Sequence, residues 1–146
     1  MSPAPIRVLV VDDDEFVRLN LAAYLEDEGF AAVASTSGEE ALHLLAREPM
    51  DVAVVDMRLP GLDGNAFILE AHRLQPRIRF LIHTGSIGYT IPEEVRSIGV
   101  RPEHVFLKPL ADMSLLRAAV EALVRETRGL NQDVSTLTGA KERGRP

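Results

Sequence analysis

Cysteine is missing from this chain altogether, which removes disulfides and thiolate metal sites from consideration. Long apolar runs are missing too, and no stretch approaches the roughly 18 residues needed to cross a bilayer. The opening Met1-Ser2-Pro3-Ala4-Pro5 has neither the basic start nor the apolar stretch of a signal peptide. The expectation is therefore a cytoplasmic protein with no membrane attachment. A basic stripe is also lacking. The 146 residues carry a net charge of −6. Residues 127–146 hold Arg128, Lys141, Arg143 and Arg145 against Asp133 and Glu142, a balance of +2 that leaves −8 on residues 1–126. An acidic body repels phosphate backbones, so direct nucleic-acid binding is not expected.

What remains is ordinary globular composition, 46% hydrophobic and 26% charged, in a chain long enough for one cored domain and short for two. Two kinds of segment alternate. Short apolar, β-branched runs occur at Ile6 to Val11, Phe30 to Ala34, Val52 to Val55, Phe80 to Ile82 and Val105 to Leu107. Runs this continuous suit strands covered on both faces, as in a parallel sheet. Between them lie stretches of helical spacing: Val17, Leu21, Tyr24 and Leu25; then Ala41, Leu42 and Leu45, introduced by a Ser37–Glu40 capping box; then Phe67, Ile68 and Ala71. The last stripe comprises Met113, Leu116, Val120, Leu123 and Val124. Strand followed by helix, five times over, predicts a doubly wound α/β fold with a five-stranded parallel sheet. The fourth helix is expected to be short, from Pro92 to Ile98, with Pro92 in its first turn. Residues 5–126 are read as the domain, and the polar residues 127–146 as a mostly disordered tail.

Ligands of parallel α/β sheets gather beyond the carboxyl ends of the strands. Here those ends carry Asp12-Asp13-Asp14-Glu15, Asp56, Thr84 and Lys108-Pro109. Neighbouring carboxylates repel unless a cation offsets them, and an all-oxygen set suits magnesium. One carboxylate can then attack a phosphoryl group, while an ammonium and a hydroxyl stabilise the transferring oxygens. Taken singly, each feature has a blander reading: an Asp run after a strand is usually a turn or helix cap, and Asp14 is assigned that role. Their ordered occurrence at four strand ends favours the functional reading. His43, His72, His83 and His104 lack ligand spacing and are read as surface or strand-end residues.

Four motifs in order resemble the receiver domain of two-component response regulators: Val10-Val11-Asp12-Asp13-Asp14, Asp56-Met57-Arg58-Leu59-Pro60-Gly61-Leu62-Asp63-Gly64, Thr84-Gly85 and Leu107-Lys108-Pro109. The resemblance implies a flavodoxin-like strand order 2-1-3-4-5. It also implies a phosphoacceptor at Asp56 and Mg2+ held by Asp12, Asp13, Asp56 and the Arg58 backbone carbonyl. Lys108 and Thr84 would contact the phosphoryl group, and the bond before Pro109 would be cis. The implied role is a single-domain switch in a phosphorelay rather than an enzyme. Its implied partners are a histidine kinase or phosphotransfer protein and a downstream protein, with the switch itself a monomer or phosphorylation-dependent dimer.

Two positions depart from the family pattern. The switch position, where Tyr or Phe is usual, is Val105, with Phe106 on the opposite side of its strand. The stretch Gly99 to Lys108 is also longer than usual. An enzyme-class rival is a small haloacid-dehalogenase-like phosphatase using Asp12, whose partner two residues on would be Asp14. It leaves Asp56 and its Pro-Gly-x-Asp-Gly turn unexplained. A third reading is a receiver-fold interaction module that is never phosphorylated.

Overall fold

The computed structural model describes the backbone of residues 4–144 and the side chains of residues 4–129. Among the described residues five strands, β1 (Arg7–Val11), β2 (Ala31–Ser35), β3 (Val52–Val55), β4 (Arg79–Thr84) and β5 (Val105–Leu107), alternate with five helices. The helices are α1 (Glu15–Asp27), α2 (Gly38–Leu45), α3 (Gly64–Leu74), α4 (Glu93–Ser97) and α5 (Met113–Gly144), and a single 3-10 turn, Pro102–His104, leads into β5. All strand pairs are parallel and the order is β2-β1-β3-β4-β5, as the resemblance implies.

The alternation of side chains along each strand divides the core into two layers. Leu9, Val11, Ala53, Val55, Phe80 and Ile82 face one side, with Ala41 of α2, Phe67 of α3 and Val95 of α4. Val8, Val10, Val52, Val54 and Leu81 face the other, with Leu21 of α1 and Leu116 of α5. Val105 and Phe106 pack into opposite layers. Because both faces are covered, nearly every strand residue can be apolar.

Local chemistry sets the helix ends. Asp14, Ser37 and Asp63 act as N-caps, accepting from Val17 N (3.1 Å), Glu40 N (3.1 Å) and Ala66 N (2.8 Å). The reciprocal half of the Ser37–Glu40 box falls one residue early, since the Glu40 carboxylate accepts from Thr36 N at 3.0 Å. Helix α1 stops at Gly29, whose φ of +93° suits glycine, with Phe30 N donating to Leu25 O and Gly29 N to Glu26 O, both at 3.0 Å. This turn absorbs Phe30, so β2 starts one residue later than its hydrophobicity suggests. Pro92 lies just outside α4 as its N-cap, with extended backbone (ψ 152°), rather than in the first turn.

Residues 127–146 are expected as a mostly disordered tail; the backbone of residues 127–144 is helical as part of α5, and residues 145 and 146 lie outside the described residues. Polar composition argues against burial, not against helix. Once Leu116, Val120 and Leu123 anchor the helix on the sheet, each further residue adds a hydrogen bond without a new nucleation cost.

Candidate functional site

The backbone ladder runs one residue past the hydrophobic strands and pins the polar residues behind them. Asp12 N donates to Ser35 O at 3.2 Å, Asp56 N to Val11 O at 2.9 Å, and Lys108 N to Thr84 O at 2.8 Å. Three strand tips are thus held in register, and their side chains meet at the carboxyl edge of the sheet. Asp12, Asp13 and Asp56 each bring a carboxylate oxygen within 4.8 Å of the other two. Asp12 and Asp56 are buried, 1% and 5% exposed, while Asp13 opens to solvent.

Lys108 enters this cluster from the far side of the sheet. Its Nζ lies 2.9 Å from Asp12 Oδ2 and 3.5 Å from Asp56 Oδ1. Burial alone lowers a lysine's pKa, but the hydrogen bond and charge of Asp12, with the charge of Asp56, reverse the direction and raise it. Lys108 stays an ammonium. For Asp56, burial raises the carboxyl above its ordinary value, and the charges of Asp12 and Asp13 add to that. The Arg58 backbone N–H (3.2 Å to Oδ1) and Lys108 oppose it.

The two buried aspartates differ in how their oxygens are used. Asp12 Oδ1 accepts from Asp14 N at 2.9 Å and Oδ2 from Lys108, so both are committed. Both contacts to Asp56, from Arg58 N and Lys108 Nζ, fall on Oδ1. Among the described residues, Asp56 Oδ2 has no hydrogen bond, and it is not a sealed atom.

The remaining sequence-predicted residues surround this centre. Thr84 is fully buried at the end of β4, and its Oγ1 accepts from Ser86 N at 3.1 Å rather than bonding to the acidic cluster. The Lys108–Pro109 peptide is cis. Val105 is half-buried beside a cleft it shares with Tyr89, Ile91, Arg96 and Pro102. Arg58 meets Asp56 through its N–H.

Several contributors were invisible in the sequence pattern. Arg18, one turn into α1, donates to the Asp12 carbonyl at 3.0 Å. Glu39 of α2 accepts from Leu62 N at 3.2 Å and braces the turn around Gly61, where φ is +72°. Gly64 sits so close that a Cβ would come 2.5 Å from Asp56 O and from the Met57 side chain. Its only sequence signal was the Asp-Gly pair opening α3. His83 is 5% exposed, with neither ring nitrogen partnered, so it is a buried residue and not a surface one.

The donor set suits a hard divalent cation: carboxylate oxygens from two strand tips, one of them solvent-facing, with excess negative charge that Lys108 offsets only in part. Among the described residues no helix is long and apolar enough to cross a membrane.

Comparison with known proteins agrees with this geometry. Residues 8–121 match the response regulator receiver domain. The chain is 32% identical over 123 residues to the transcriptional regulatory protein GlrR of Escherichia coli strain K12, spanning 84% of this chain and 27% of that protein. It is also 32% identical over 123 residues to the response regulator MprA of Mycolicibacterium vanbaalenii, spanning 84% of this chain and 52% of that one. The match thus covers about half or less of these relatives' length. A CheY-like receiver domain protein from Methanospirillum hungatei superimposes with a TM-score of 0.70 at 25% identity, over 86% of this chain and 98% of that chain. The chain belongs to the response regulator receiver domain family.

Proposed function

We propose that this chain is a phosphorelay switch whose Asp56 accepts a phosphoryl group from the phosphohistidine of a histidine kinase or phosphotransfer protein. An Asp56 carboxylate oxygen forms the new bond to phosphorus as the phosphorus–nitrogen bond breaks, and the imidazole departs with a proton. Asp12, Asp13, Asp56 and the Arg58 carbonyl would hold Mg2+, which supplies charge neutralisation for the transferring oxygens. The Lys108 ammonium, fixed by Asp12, stabilises those oxygens from the opposite side. Thr84 exchanges its bond to Ser86 N for one to the bound phosphoryl group and carries the loop with it. Residues 5–126 form the acting unit, it works in the cytoplasm, and its output is contact with another protein rather than turnover of a substrate.

The observation that carries this reading is the meeting of three carboxylates within 4.8 Å with one ammonium 2.9 Å from Asp12 and 3.5 Å from Asp56. The uncommitted Asp56 Oδ2 supports attack by Asp56 rather than by Asp12, whose two oxygens are engaged. Incubation with acetyl phosphate and magnesium, followed by intact mass measurement, tests it. The wild-type chain gains one phosphoryl group, Asp56→Asn gains none, and Asp12→Asn retains weak labelling. Absence of added mass where a control receiver is labelled favours a non-phosphorylated interaction module. Loss of label with Asp12→Asn alone favours the phosphatase.

A further inference from the structure

The acidic cluster occupies the carboxyl edge of the sheet. At the opposite edge lies a cleft of about 490 Å³ that takes no part in phosphoryl transfer. Its walls come from three remote parts of the chain: residues 49–51 ahead of β3, residues 75–78 ahead of β4, and Val124, Thr127 and Arg128 of α5. The volume falls in the range of small-molecule sites. It is too small for a partner helix or domain.

The cleft is held in shape by the chain itself. Gln75, just past α3, uses its whole side-chain amide. Its Nε2 donates to Leu45 O at 2.8 Å and to Glu48 O at 2.7 Å, and its Oε1 accepts from Met50 N at 3.0 Å. These bonds clamp the loop ahead of β3 to the loop ahead of β4. Asp51 N donates to Arg7 O at 2.9 Å and Arg79 N to Asp51 O at 3.1 Å, so the sheet ladder runs on into both walls. Pro49 and Pro76 each fix a backbone angle there. Met50, Ile78 and Val124 are buried and give the cleft an apolar floor. A site fixed in this way needs little ordering when a ligand enters.

Two cations stand at this floor without partners. Residues 1–126 carry a net charge of −8, and neighbouring arginines at this edge are paired, Arg7 with Glu48 at 3.0 Å and Arg79 with Glu126 at 3.5 Å. Arg77 and Arg128 line the cleft and are exposed, and among the described residues neither has a carboxylate within 4.0 Å. Asp51 also lines the cleft, with Oδ2 accepting from Arg7 N at 2.8 Å. One negative group is therefore set against two positive ones. Guanidinium groups offer forked donors that match an oxyanion. An inorganic ion would leave the apolar floor uncovered, and a purely apolar molecule would leave both arginines unused.

We propose that this cleft binds a small organic anion, its apolar body seated on Met50, Ile78 and Val124 and its single oxyanionic group held by Arg77 and Arg128. This goes beyond the phosphoacceptor reading and does not depend on it, because none of these residues belongs to the acidic site.

Anilinonaphthalene sulfonate, an apolar ring system with one sulfonate, serves as the probe, titrated by fluorescence into the full chain. Binding should saturate. Phenylnaphthylamine, the same rings without the sulfonate, should bind on the order of tenfold more weakly. Arg77→Gln/Arg128→Gln should weaken the sulfonate probe by a similar factor and leave the uncharged one unchanged. Thr127→Trp, which crowds the cleft wall with a large ring, should abolish binding of both. Phe16→Ala, on an exposed apolar side chain of α1, should change neither. Labelling by acetyl phosphate should stay at the wild-type level in every variant, which shows each one folded. In amide NMR spectra the sulfonate probe should shift Met50, Asp51, Arg77 and Ile78. Absence of saturable binding, equal affinity for the two probes, unchanged affinity in the double variant, or shifts confined to other parts of the chain overturns the proposal.

Discussion

The hydroxyl of Tyr89 donates to the amide oxygen of Asn65 at 2.8 Å, tying the loop that leaves β4 to the first turn of α3. Burial, reinforced by the Asp63 carboxylate, raises the phenol's pKa and keeps it a donor. Tyr89 also lines the cleft beside Val105, the position where its family usually carries an aromatic ring. Tyr89→Phe keeps the ring and deletes the bond. It should cost about 1 kcal/mol in urea unfolding while leaving acetyl phosphate labelling intact.

Lys108→Met removes the ammonium that Asp12 and Asp56 share. Labelling of Asp56 should slow on the order of 10²-fold, as for loss of one fixed donor to a developing charge. Magnesium binding, followed by calorimetry, should tighten in the same variant, because the competing cation is gone.

Asp56 has its pKa raised in the folded chain, chiefly by burial. The folded state therefore favours the protonated form, and stability is lost as pH rises from the ordinary carboxyl range through the raised value. At neutral pH without divalent cation, Asp56→Asn should raise Tm. Added magnesium should raise the wild-type Tm and move Asp13→Asn little. A thermal shift series with and without chelator checks both.

His83 is held neutral. Burial, assisted by Lys108 and opposed by Asp12, lowers its pKa from 6.5 to about 4. The unfolded chain then binds the extra proton, so stability falls as pH drops from about 6.5 towards 4, by a total of about 3 kcal/mol below that range. His83→Leu removes no hydrogen bond, since both ring nitrogens lack partners. Urea unfolding at pH 7.5 and pH 5 should show the variant losing less stability on acidification than the wild-type chain.

Gly64→Ala places a methyl group 2.5 Å from Asp56 O and Met57. Backbone at Asp56 itself must shift. The expected outcome is at least about 1–3 kcal/mol of destabilisation together with loss of labelling, read on one sample by unfolding and intact mass.

Much of the molecule was legible because local rules and global packing agree. Continuous apolar runs identified the parallel strands, and Asp14, Ser37 and Asp63 stood where caps belong. The misreadings arose where those rules are silent. Phe30 is apolar but spent on a helix stop, and His83, at a strand end as expected, is polar but buried rather than on the surface. After Thr127 low hydrophobicity speaks only to burial, and the backbone there is helical through Gly144 because a helix already nucleated on the sheet extends one hydrogen bond at a time.

By itself the sequence determined the alternation of strands and helices and the placing of acids, a hydroxyl and an amine at strand ends, because side-chain period and turn chemistry are local properties. Only the tertiary structure decided which oxygens of Asp12 and Asp56 are engaged and that Lys108 spans both. It also decided that Thr84 rests on its own loop and that Gly64 abuts the Asp56 carbonyl. Those are distances between residues remote in the chain, set by how ladder register and the two core layers bring separate strand tips to one edge.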